Sequence, residues 1–293
     1  MRNPNLLRKN ILAWYRSRGR KLPWRRIRDP YRILVSEIML HQTQVSRVLR
    51  IYPAFLRSFP TLRRLAAASP SEVIVAWRGM GYNRRALYLR RCAQRVVEEW
   101  KGRFPDDPDR LQTLPGIGRY TAHALACFAF RRQVPVVETN IRRVLERMVR
   151  KPLSDGRAWE VAAGLLPAKR AHEWNQALMD LGAMVCTAVG PSCGECPVRS
   201  QCPSAHRVRR VRKRPRMEHG RNGIPDRIYR GRVVEFLRDR RRPVRLRDLG
   251  RRTVPSLHRH DRGWFLGLLR SLERDGLVLL VRRGGTVWVS LAG

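Results

Sequence analysis

The chain has 293 residues, 43% of them hydrophobic, which is enough for one large domain and a small one with a buried core. No run approaches 18 apolar residues, which excludes a membrane-spanning helix, and the amino terminus lacks the apolar segment of a secretion signal. We therefore expect a cytoplasmic protein. Lys and Arg number 62 against 23 acidic residues, a net charge of +39. This charge favours binding to a polyanion; the alternative is a set of solvated cationic faces.

The first two hundred residues show helical spacing of apolar residues in one segment after another. No convincing alternating strand occurs before residue 275. Thr61 and Ser69 are placed to cap helices. The predicted helices cover residues 31–49, 84–100, 120–130, 139–149, 158–166 and 173–183. This part of the chain is therefore predicted to be all-α.

The composition changes at residues 204–225, where 207–216 read RVRRVRKRPR. A block of like charge indicates a solvated linker, and a clamp on phosphates is the equal alternative. Beyond it, short helices are predicted at 232–237, 246–249 and 264–272. Two β-rich runs, 277–281 and 286–291, follow with a hairpin signal between them. Residues 226–293 are therefore predicted to form a small α+β, winged-helix-like domain.

Four of the six cysteines lie within seventeen residues, with the spacing C-x6-C-x2-C-x5-C. In an intracellular chain such clustering indicates metal ligation rather than disulfides. Four thiolates suit zinc or a [4Fe–4S] cluster, and geometry alone does not decide between them. Cys92 and Cys127 stand alone in apolar segments and are predicted to be buried core thiols. The candidate ligands are Cys186, Cys193, Cys196 and Cys202.

The segment LPGIGRYTA, residues 114–122, is a second motif. Gly116 and Gly118 permit a tight turn, and the helix that follows begins with free backbone N–H groups. Such a helix start is a ready phosphate site. The alternative is an ordinary glycine-containing turn.

Glu37 lies in SEIMLHQTQV, residues 36–45, among apolar neighbours. A carboxylate in that setting is costly unless it is paired or used. If its pKa is raised by the setting, the carboxyl holds a proton near neutral pH and can act as an acid. The alternative is a helix ion pair with a neighbouring Arg.

Together, the cysteine spacing, LPGIGRYTA and SE-I-ML-x-QTQV resemble the endonuclease III-like, helix-hairpin-helix iron–sulfur DNA glycosylases, and within them the adenine DNA glycosylases. LPWR (22–25) and GMGY (79–82) match further family positions, and the resemblance covers residues 20–203. It implies a mainly α fold with a two-lobed glycosylase domain over 1–203. A six-helix barrel would span about 25–131, and residues 1–24 and 132–203 would form the cluster lobe. The resemblance also implies a [4Fe–4S] cluster rather than zinc on the four cysteines.

The resemblance assigns the chemistry to three residues. Glu37 would supply a proton to the purine ring, and Glu138 would stabilise the oxocarbenium-like sugar. The family normally has Asp at position 138, so this acid is one methylene longer. Relatives that also nick the DNA backbone carry Lys at position 120 and form a Schiff base there. Tyr120 cannot do so, which implies an enzyme that only removes the base.

Reading a flipped base requires a wedge and a pocket. By family match, Tyr82 would enter the base stack, Gln42 and Thr43 would touch the opposite base, and Arg25 and Gln176 would face the expelled base. Gly116 and Gly118 would contact the DNA backbone. His41 replaces the Gln that is usual in the family.

The expected function is base excision repair: hydrolysis of the N-glycosidic bond of adenine mispaired with 8-oxoguanine or guanine in double-stranded DNA, by a monomer. The carboxy-terminal part does not resemble the nudix-type domain that many adenine glycosylases use to sense 8-oxoguanine. One alternative is a mismatch-specific thymine or uracil glycosylase, although pyrimidine release does not need Glu37. The other is a non-catalytic protein that binds damaged DNA.

Overall fold

The computed structural model describes residues 3–208, 218, 220–254, 258 and 261–293. Most of the basic segment 207–216 lies outside the described residues. The chain divides into two compact units. One contains Met1–Glu37, Pro105–Thr113 and Ile117–Arg214, and the other contains Ile38–Phe104, Leu114–Gly116 and Pro215–Gly293. The domain boundaries expected from the sequence stay a prediction.

Helices dominate the first two hundred residues, as the apolar spacing predicts. Thr61 accepts a hydrogen bond from the amide of Arg64, and Ser69 forms a capping box with Glu72, so both predicted caps are confirmed. A π-helical turn over Leu181–Val185 follows the last of these helices. The helices are α1 (Pro4–Arg18), α2 (Pro30–Leu40), α3 (Val45–Ser58), α4 (Leu62–Ala67), α5 (Pro70–Ala76), α6 (Arg84–Trp100), α7 (Pro108–Gln112), α8 (Arg119–Phe128), α9 (Thr139–Val149), α10 (Asp155–Gly164) and α11 (Ala171–Asp180).

The prediction of one helix over residues 31–49 is wrong, because the chain leaves the helix after Leu40 and re-enters one at Val45. Gln42 adopts a left-handed conformation, with φ of 54°. The guanidinium of Arg85 donates to the carbonyls of Ile38 and His41, which are carbonyls that the end of a helix leaves without partners. A side chain more than forty positions away thus stabilises this break. The spacing of apolar residues in the sequence does not reveal such a contact.

The core of the first unit lies between α1, α9, α10 and α11. Ile11, Ile141, Trp174 and Leu178 are buried there, each at most 1% exposed. The apolar stripes of these helices converge because each must remove its hydrophobic face from water. The two lone cysteines, Cys92 and Cys127, are buried thiols as predicted.

The second unit combines helices α3 to α6 with the carboxy-terminal residues. These form α12 (Asp226–Arg238), α13 (Leu246–Thr253) and α14 (Arg262–Arg274), with strands β1 (Gly220–Arg221), β2 (Ile224–Pro225), β3 (Val244–Arg245), β4 (Val278–Arg283) and β5 (Thr286–Leu291). The sheet order is β3-β5-β4, antiparallel, with Leu280 opposite Val289.

The predicted three helices and β-hairpin of the winged-helix-like part are confirmed. Three strands among the described residues, β1, β2 and β3, precede residue 275, but none contradicts the expectation of no alternating strand there. Each of them has only two residues, which is too short to show an alternating pattern. Among the described residues, every helix falls short of the length and apolarity needed to cross a bilayer.

Candidate active site and nucleic-acid contacts

Glu37 is a buried acid in the first unit. It lies on α2 and is 4% exposed. The hydroxyl of Tyr120, on α8, donates to its Oε2 atom over 2.5 Å. Burial raises the pKa of Glu37 from 4.5 to about 7, against the hydrogen bond from Tyr120 and the charge of Arg25, while the charge of Glu138 adds to the rise. This carboxyl therefore holds a proton for a large part of the time at neutral pH.

Tyr120 is the hydrogen-bond partner of Glu37, a pairing that the sequence analysis did not predict. Burial, and then the charge of Glu37, raise the pKa of Tyr120 well above its usual value, so the side chain is a neutral phenol that donates. The alternative of a helix ion pair is not observed: among the described residues, no Arg or Lys forms an ion pair with Glu37. Arg25 affects its pKa only through its charge.

Glu138 occupies the N-cap position of α9. Its carboxylate accepts from the amides of Asn140 at 2.7 Å and Ile141 at 2.9 Å, and from the side-chain amide of Asn140 at 3.1 Å. Burial raises its pKa, and these hydrogen bonds oppose the rise. Its charge also raises the pKa of Glu37, so the structure places the two carboxyl groups within range of each other's field.

Arg25 is tied to a buried acid that the sequence analysis missed. Its two terminal nitrogens each donate to Asp180 over 2.7 Å, and Asp180 also accepts from the amide and Nε of Arg20. Burial works to raise the pKa of Asp180, but the bonds from Arg25 and Arg20 bring it below its usual value. Helix α11 also contains Glu173, Asn175 and Gln176, so its sequence carried no signal that singles out Asp180.

Gln176 is 3% exposed, and both ends of its amide are engaged. Its Oε1 accepts from the hydroxyl of Tyr15 at 2.6 Å, and its Nε2 lies 3.0 Å from Nε2 of His172. Burial lowers the pKa of His172 to about 4, and nearby arginines, Arg131 first, lower it further. His172 is therefore neutral at physiological pH and can accept from Gln176.

Tyr82 lies in the second unit and is 57% exposed, with φ of 45°. The guanidinium of Arg85 lies 5.3 Å from the centre of its ring. Arg85 also donates to Oγ1 of Thr43 at 3.1 Å and to the carbonyl of Met80 at 3.3 Å. One side chain thus connects the turn that carries Gln42 and Thr43 with the loop that carries Tyr82.

Arg85 was not predicted as a functional residue. Burial lowers its pKa to about 10, and among the described residues it forms no ion pair. Its Nε is buried without a hydrogen-bond partner in the described part of the chain. A single Arg in an Arg-rich helix gives no sequence signal, because the loops that it contacts are distant along the chain.

The turn between α7 and α8 contains Gly116 and Gly118. Gly116 has φ of 77°, and a Cβ there would lie 2.7 Å from Cβ of Tyr88, so only glycine fits. Gly118 is the N-cap of α8, with open space around its Cα. The helix start therefore presents backbone amides without a side-chain cap, as a phosphate site requires.

The four clustered cysteines line one cavity in the first unit. Among the described residues, no three His, Cys, Asp or Glu side chains are close enough to hold a single metal ion. Nη1 of Arg147, on α9, lies 3.2 Å from Sγ of Cys186. Burial raises the pKa of Cys196 to about 11, and the nearness of the other three thiols adds to the rise. The cavity is lined by Cys186, Cys193, Cys196, Cys202, Arg147, Val185, Pro191, Arg199, Ser204, Ala205 and Val208.

Arg143 connects the cysteine loop to the helix that Glu138 caps. Its side chain donates to Oδ1 of Asn140 at 2.7 Å and to the carbonyls of Gly182 at 2.6 Å and Cys186 at 2.8 Å. Gly182 permits this approach, because a Cβ there would lie 2.7 Å from Cβ of Asn140. Arg143 lies in the segment ETNIRRV, residues 138–144, and nothing in the spacing of this segment singles it out.

Comparison with known proteins identifies the family of this chain. The family described as "HhH-GPD superfamily base excision DNA repair protein" matches residues 35–152. The adenine DNA glycosylase of Mycolicibacterium smegmatis is 43% identical over 280 residues, which cover 92% of this chain and 91% of that protein. The chain belongs to the adenine DNA glycosylase family.

A further relative and two solved structures are also similar to this chain. The human adenine DNA glycosylase is 42% identical over 216 residues, which cover 69% of this chain and 40% of the human protein. The solved structure of a thermostable thymine-DNA glycosylase matches with a TM-score of 0.67 and 30% identity, over 70% of this chain and 97% of its own. An endonuclease III–DNA covalent intermediate matches with a TM-score of 0.62 at 20% identity, over 71% of this chain and 99% of its own, which supports the predicted fold alone.

Proposed function

We propose that this chain is a monofunctional DNA glycosylase of base excision repair that hydrolyses the N-glycosidic bond of adenine mispaired with 8-oxoguanine or guanine. The observation that carries the proposal is the Glu37 carboxyl, buried, bonded to Tyr120, with a pKa of about 7. An acid with such a pKa is matched to proton donation at neutral pH. The adenine DNA glycosylases that resemble the chain over most of its length support the same substrate.

In the proposed reaction, protonated Glu37 donates to the purine ring of the extruded adenine. The protonated base is a better leaving group, and the bond to the sugar breaks as positive charge develops there. Glu138, held by two backbone amides, stabilises that charge electrostatically. Water then adds to the sugar and gives a proton to the Glu37 carboxylate, which leaves an abasic site and restores the acid. Tyr120 keeps Glu37 in place and offers no amine, so the DNA backbone is not cut.

The DNA contacts follow the same proposal. Tyr82, exposed at 57%, enters the base stack, with Gln42 and Thr43 beside it to meet the opposite base. The helix start after Gly118 takes a backbone phosphate. Arg25 and Gln176 shape the surroundings of the expelled base from fixed positions, because Asp180 and Tyr15 already hold their polar groups.

A second candidate, removal of thymine or uracil opposite guanine, is supported by the match to a thymine-DNA glycosylase at 30% identity. Duplexes containing A:8-oxoguanine, A:G, T:G and U:G, treated with alkali to reveal abasic sites, separate the two. Loss of adenine is expected. Loss of thymine or uracil but never adenine would overturn the proposal, and strand breaks without alkali would overturn the assignment of Tyr120.

Glu37→Gln distinguishes an enzyme from a non-catalytic damage-binding protein. The variant is expected to lose base release while its affinity for the mispaired duplex stays close to that of the unchanged protein. A variant that cleaves normally would remove Glu37 from the active site. If the wild-type protein binds mispairs but releases no base, the result would favour the non-catalytic alternative.

We also propose that Cys186, Cys193, Cys196 and Cys202 hold a [4Fe–4S] cluster. Four thiols around one cavity, with the Arg147 guanidinium against Cys186, fit an anionic cluster. When bound, the cluster would cross-link a loop that has little core of its own. Cys193→Ser should remove iron and the broad absorbance at about 400 nm that such clusters show, whereas Cys92→Ala, at a buried thiol elsewhere, should keep both. A colourless, zinc-containing preparation would contradict the cluster.

The remaining parts of the proposal concern the oligomeric state and the cellular location of the protein. We infer a monomer that acts on double-stranded DNA in the cytoplasm, associated with the nucleoid through DNA binding. Sedimentation of the free protein tests the monomer, and a stable dimer at micromolar concentration would contradict it.

A further inference from the structure

The loop that carries Tyr82, residues 79–83, has an unusual backbone. Gly79, Gly81 and Tyr82 all have positive φ, at 81°, 67° and 45°. Tyrosine is unfavourable in this region, so its surroundings must hold the conformation. We call residues 79–83 the wedge loop.

Arg85 holds the wedge loop from one side, through its bonds to the carbonyls of Met80 and Gly81. Arg238, on the carboxy-terminal helix α12, holds it from another side. The Arg238 side chain is 4% exposed. Its Nη2 donates to Oδ1 of Asn83 at 2.8 Å, and its Nε donates to the carbonyl of Ile74 at 3.1 Å.

Asn83 directly follows Tyr82 and occupies the N-cap position of α6. Asparagine commonly caps a helix with its side-chain oxygen, but here it does not. That oxygen accepts from Arg238 instead. The side chain that would ordinarily fix the start of α6 is thus bound to the carboxy-terminal part of the chain.

The surrounding contacts place α12 and α14 against both helices that flank the wedge loop. Ile74 of α5 and Leu87 of α6 are buried in the same core as Val233, Leu237 and Leu269. Charged contacts border this core: Arg78 pairs with Glu235 at 3.0 Å and with Asp239 at 2.6 Å, and Arg84 lies 3.4 Å from Asp275. The carboxy-terminal helices therefore support the base of the wedge loop on a broad surface.

We propose that the carboxy-terminal module, which comprises α12 to α14 and β3 to β5, positions the wedge loop. Arg238 is the positioning residue that fixes Asn83, and thereby Tyr82, for insertion into the base stack. The proposal rests on the proposed role of Tyr82 and assigns a function to a part of the chain outside the catalytic residues. Arg238 acts at the base-extrusion step and not in duplex affinity, because its buried guanidinium is occupied by Asn83, Ile74 and Glu235.

The test uses the full chain and a duplex with 2-aminopurine beside the mispaired adenine, whose fluorescence rises when the neighbouring base leaves the stack. Arg238→Gln should lower the rate of this rise and of single-turnover base release by about tenfold, the expected effect of losing one charge-assisted hydrogen bond. Duplex affinity should change by less than about twofold. Arg247→Gln removes the same charge from an exposed site of the same module and should change neither rate.

Asn83→Ala removes the acceptor from the other side of the contact. It should reproduce the extrusion defect, and the double variant should be no worse than Arg238→Gln alone, because that variant has already lost the contact with Asn83. This variant also decides the question if Arg238→Gln fails to fold. Normal extrusion in Asn83→Ala would overturn the proposal, as would equal losses of affinity and extrusion in Arg238→Gln.

The fluorescence signal separates this proposal from the proposed reaction. An unchanged protein that extrudes the base but releases no adenine would contradict the adenine glycosylase assignment and leave the positioning role intact. A protein that releases adenine at the same rate with and without Arg238 would contradict the positioning role alone.

Discussion

The hydroxyl of Tyr120 donates a 2.5 Å hydrogen bond to the carboxylate of Glu37, a residue 83 positions earlier in the chain. Burial disfavours the charged form of Glu37, and this hydrogen bond favours it. Burial is the larger effect, so the pKa settles at about 7. The pair thus keeps both protonation states of the acid accessible near neutral pH.

Base release should decline as pH rises through about 7, the pKa of Glu37, because only the protonated carboxyl can donate to the purine. Single-turnover rates between about pH 5 and pH 9 would check this. DNA affinity measured at the same pH values is the control, since loss of binding would mimic the decline. A rate that is flat or increasing over this range would show that Glu37 is not the proton donor.

Tyr120→Phe should shift the same profile to higher pH, by about one unit. The hydrogen bond from Tyr120 lowers the pKa of Glu37, so its removal leaves the effect of burial less opposed. The variant retains the aromatic ring and therefore most of the packing. A profile displaced to lower pH would mean that the phenol stabilises the neutral acid instead.

Glu37→Gln should stabilise the fold at high pH. A pKa raised from 4.5 to about 7 means that the native state binds the proton more tightly than the unfolded state. Stability is therefore full below about pH 4.5 and declines as pH rises to about 7. Gln cannot ionise, so its advantage in the free energy of unfolding should grow to about 3 kcal/mol at pH 8. Urea denaturation at pH 5 and pH 8 measures the difference.

The matched control is Glu98→Gln, at an exposed acid on α6. Its free energy of unfolding relative to the unchanged protein should be the same at both pH values within about 0.5 kcal/mol. If Glu37→Gln shows no greater gain at pH 8 than Glu98→Gln, then Glu37 does not carry the raised pKa.

Two variants at position 138 distinguish the helix-capping role of Glu138 from its proposed catalytic role. Glu138→Asp keeps an acid that caps helices well, so unfolding free energy should change by less than about 1 kcal/mol and base release should persist. Glu138→Gln retains an acceptor for one amide of α9 but loses the charge. Its base release should fall by about a hundredfold or more, as for other groups that stabilise a transition-state charge. Comparable rates in the two variants would mean that the charge at 138 is not used.

Much of the fold could be predicted from apolar spacing and caps. Helix α9 begins and ends at the predicted residues, and the capping residues Thr61 and Ser69 lie where their sequence context indicates. These features depend on interactions within a few residues, which the sequence displays directly. The break after Leu40 could not be predicted in this way, because the carbonyl groups at the end of α2 find their partner in Arg85, on another helix.

The candidate site shows the same division. The sequence by itself determined the chemical types: an acid on an apolar helix, a tyrosine where a lysine would form a Schiff base, and four cysteines at close spacing. Only the tertiary structure decided their partners: Tyr120 on Glu37, Asp180 on Arg25, and Arg238 beside the wedge loop. The local sequence pattern indicates whether a side chain is buried and which conformation its backbone prefers. A pKa or a loop conformation depends on which groups lie within a few ångströms, and folding brings those groups together from distant parts of the chain.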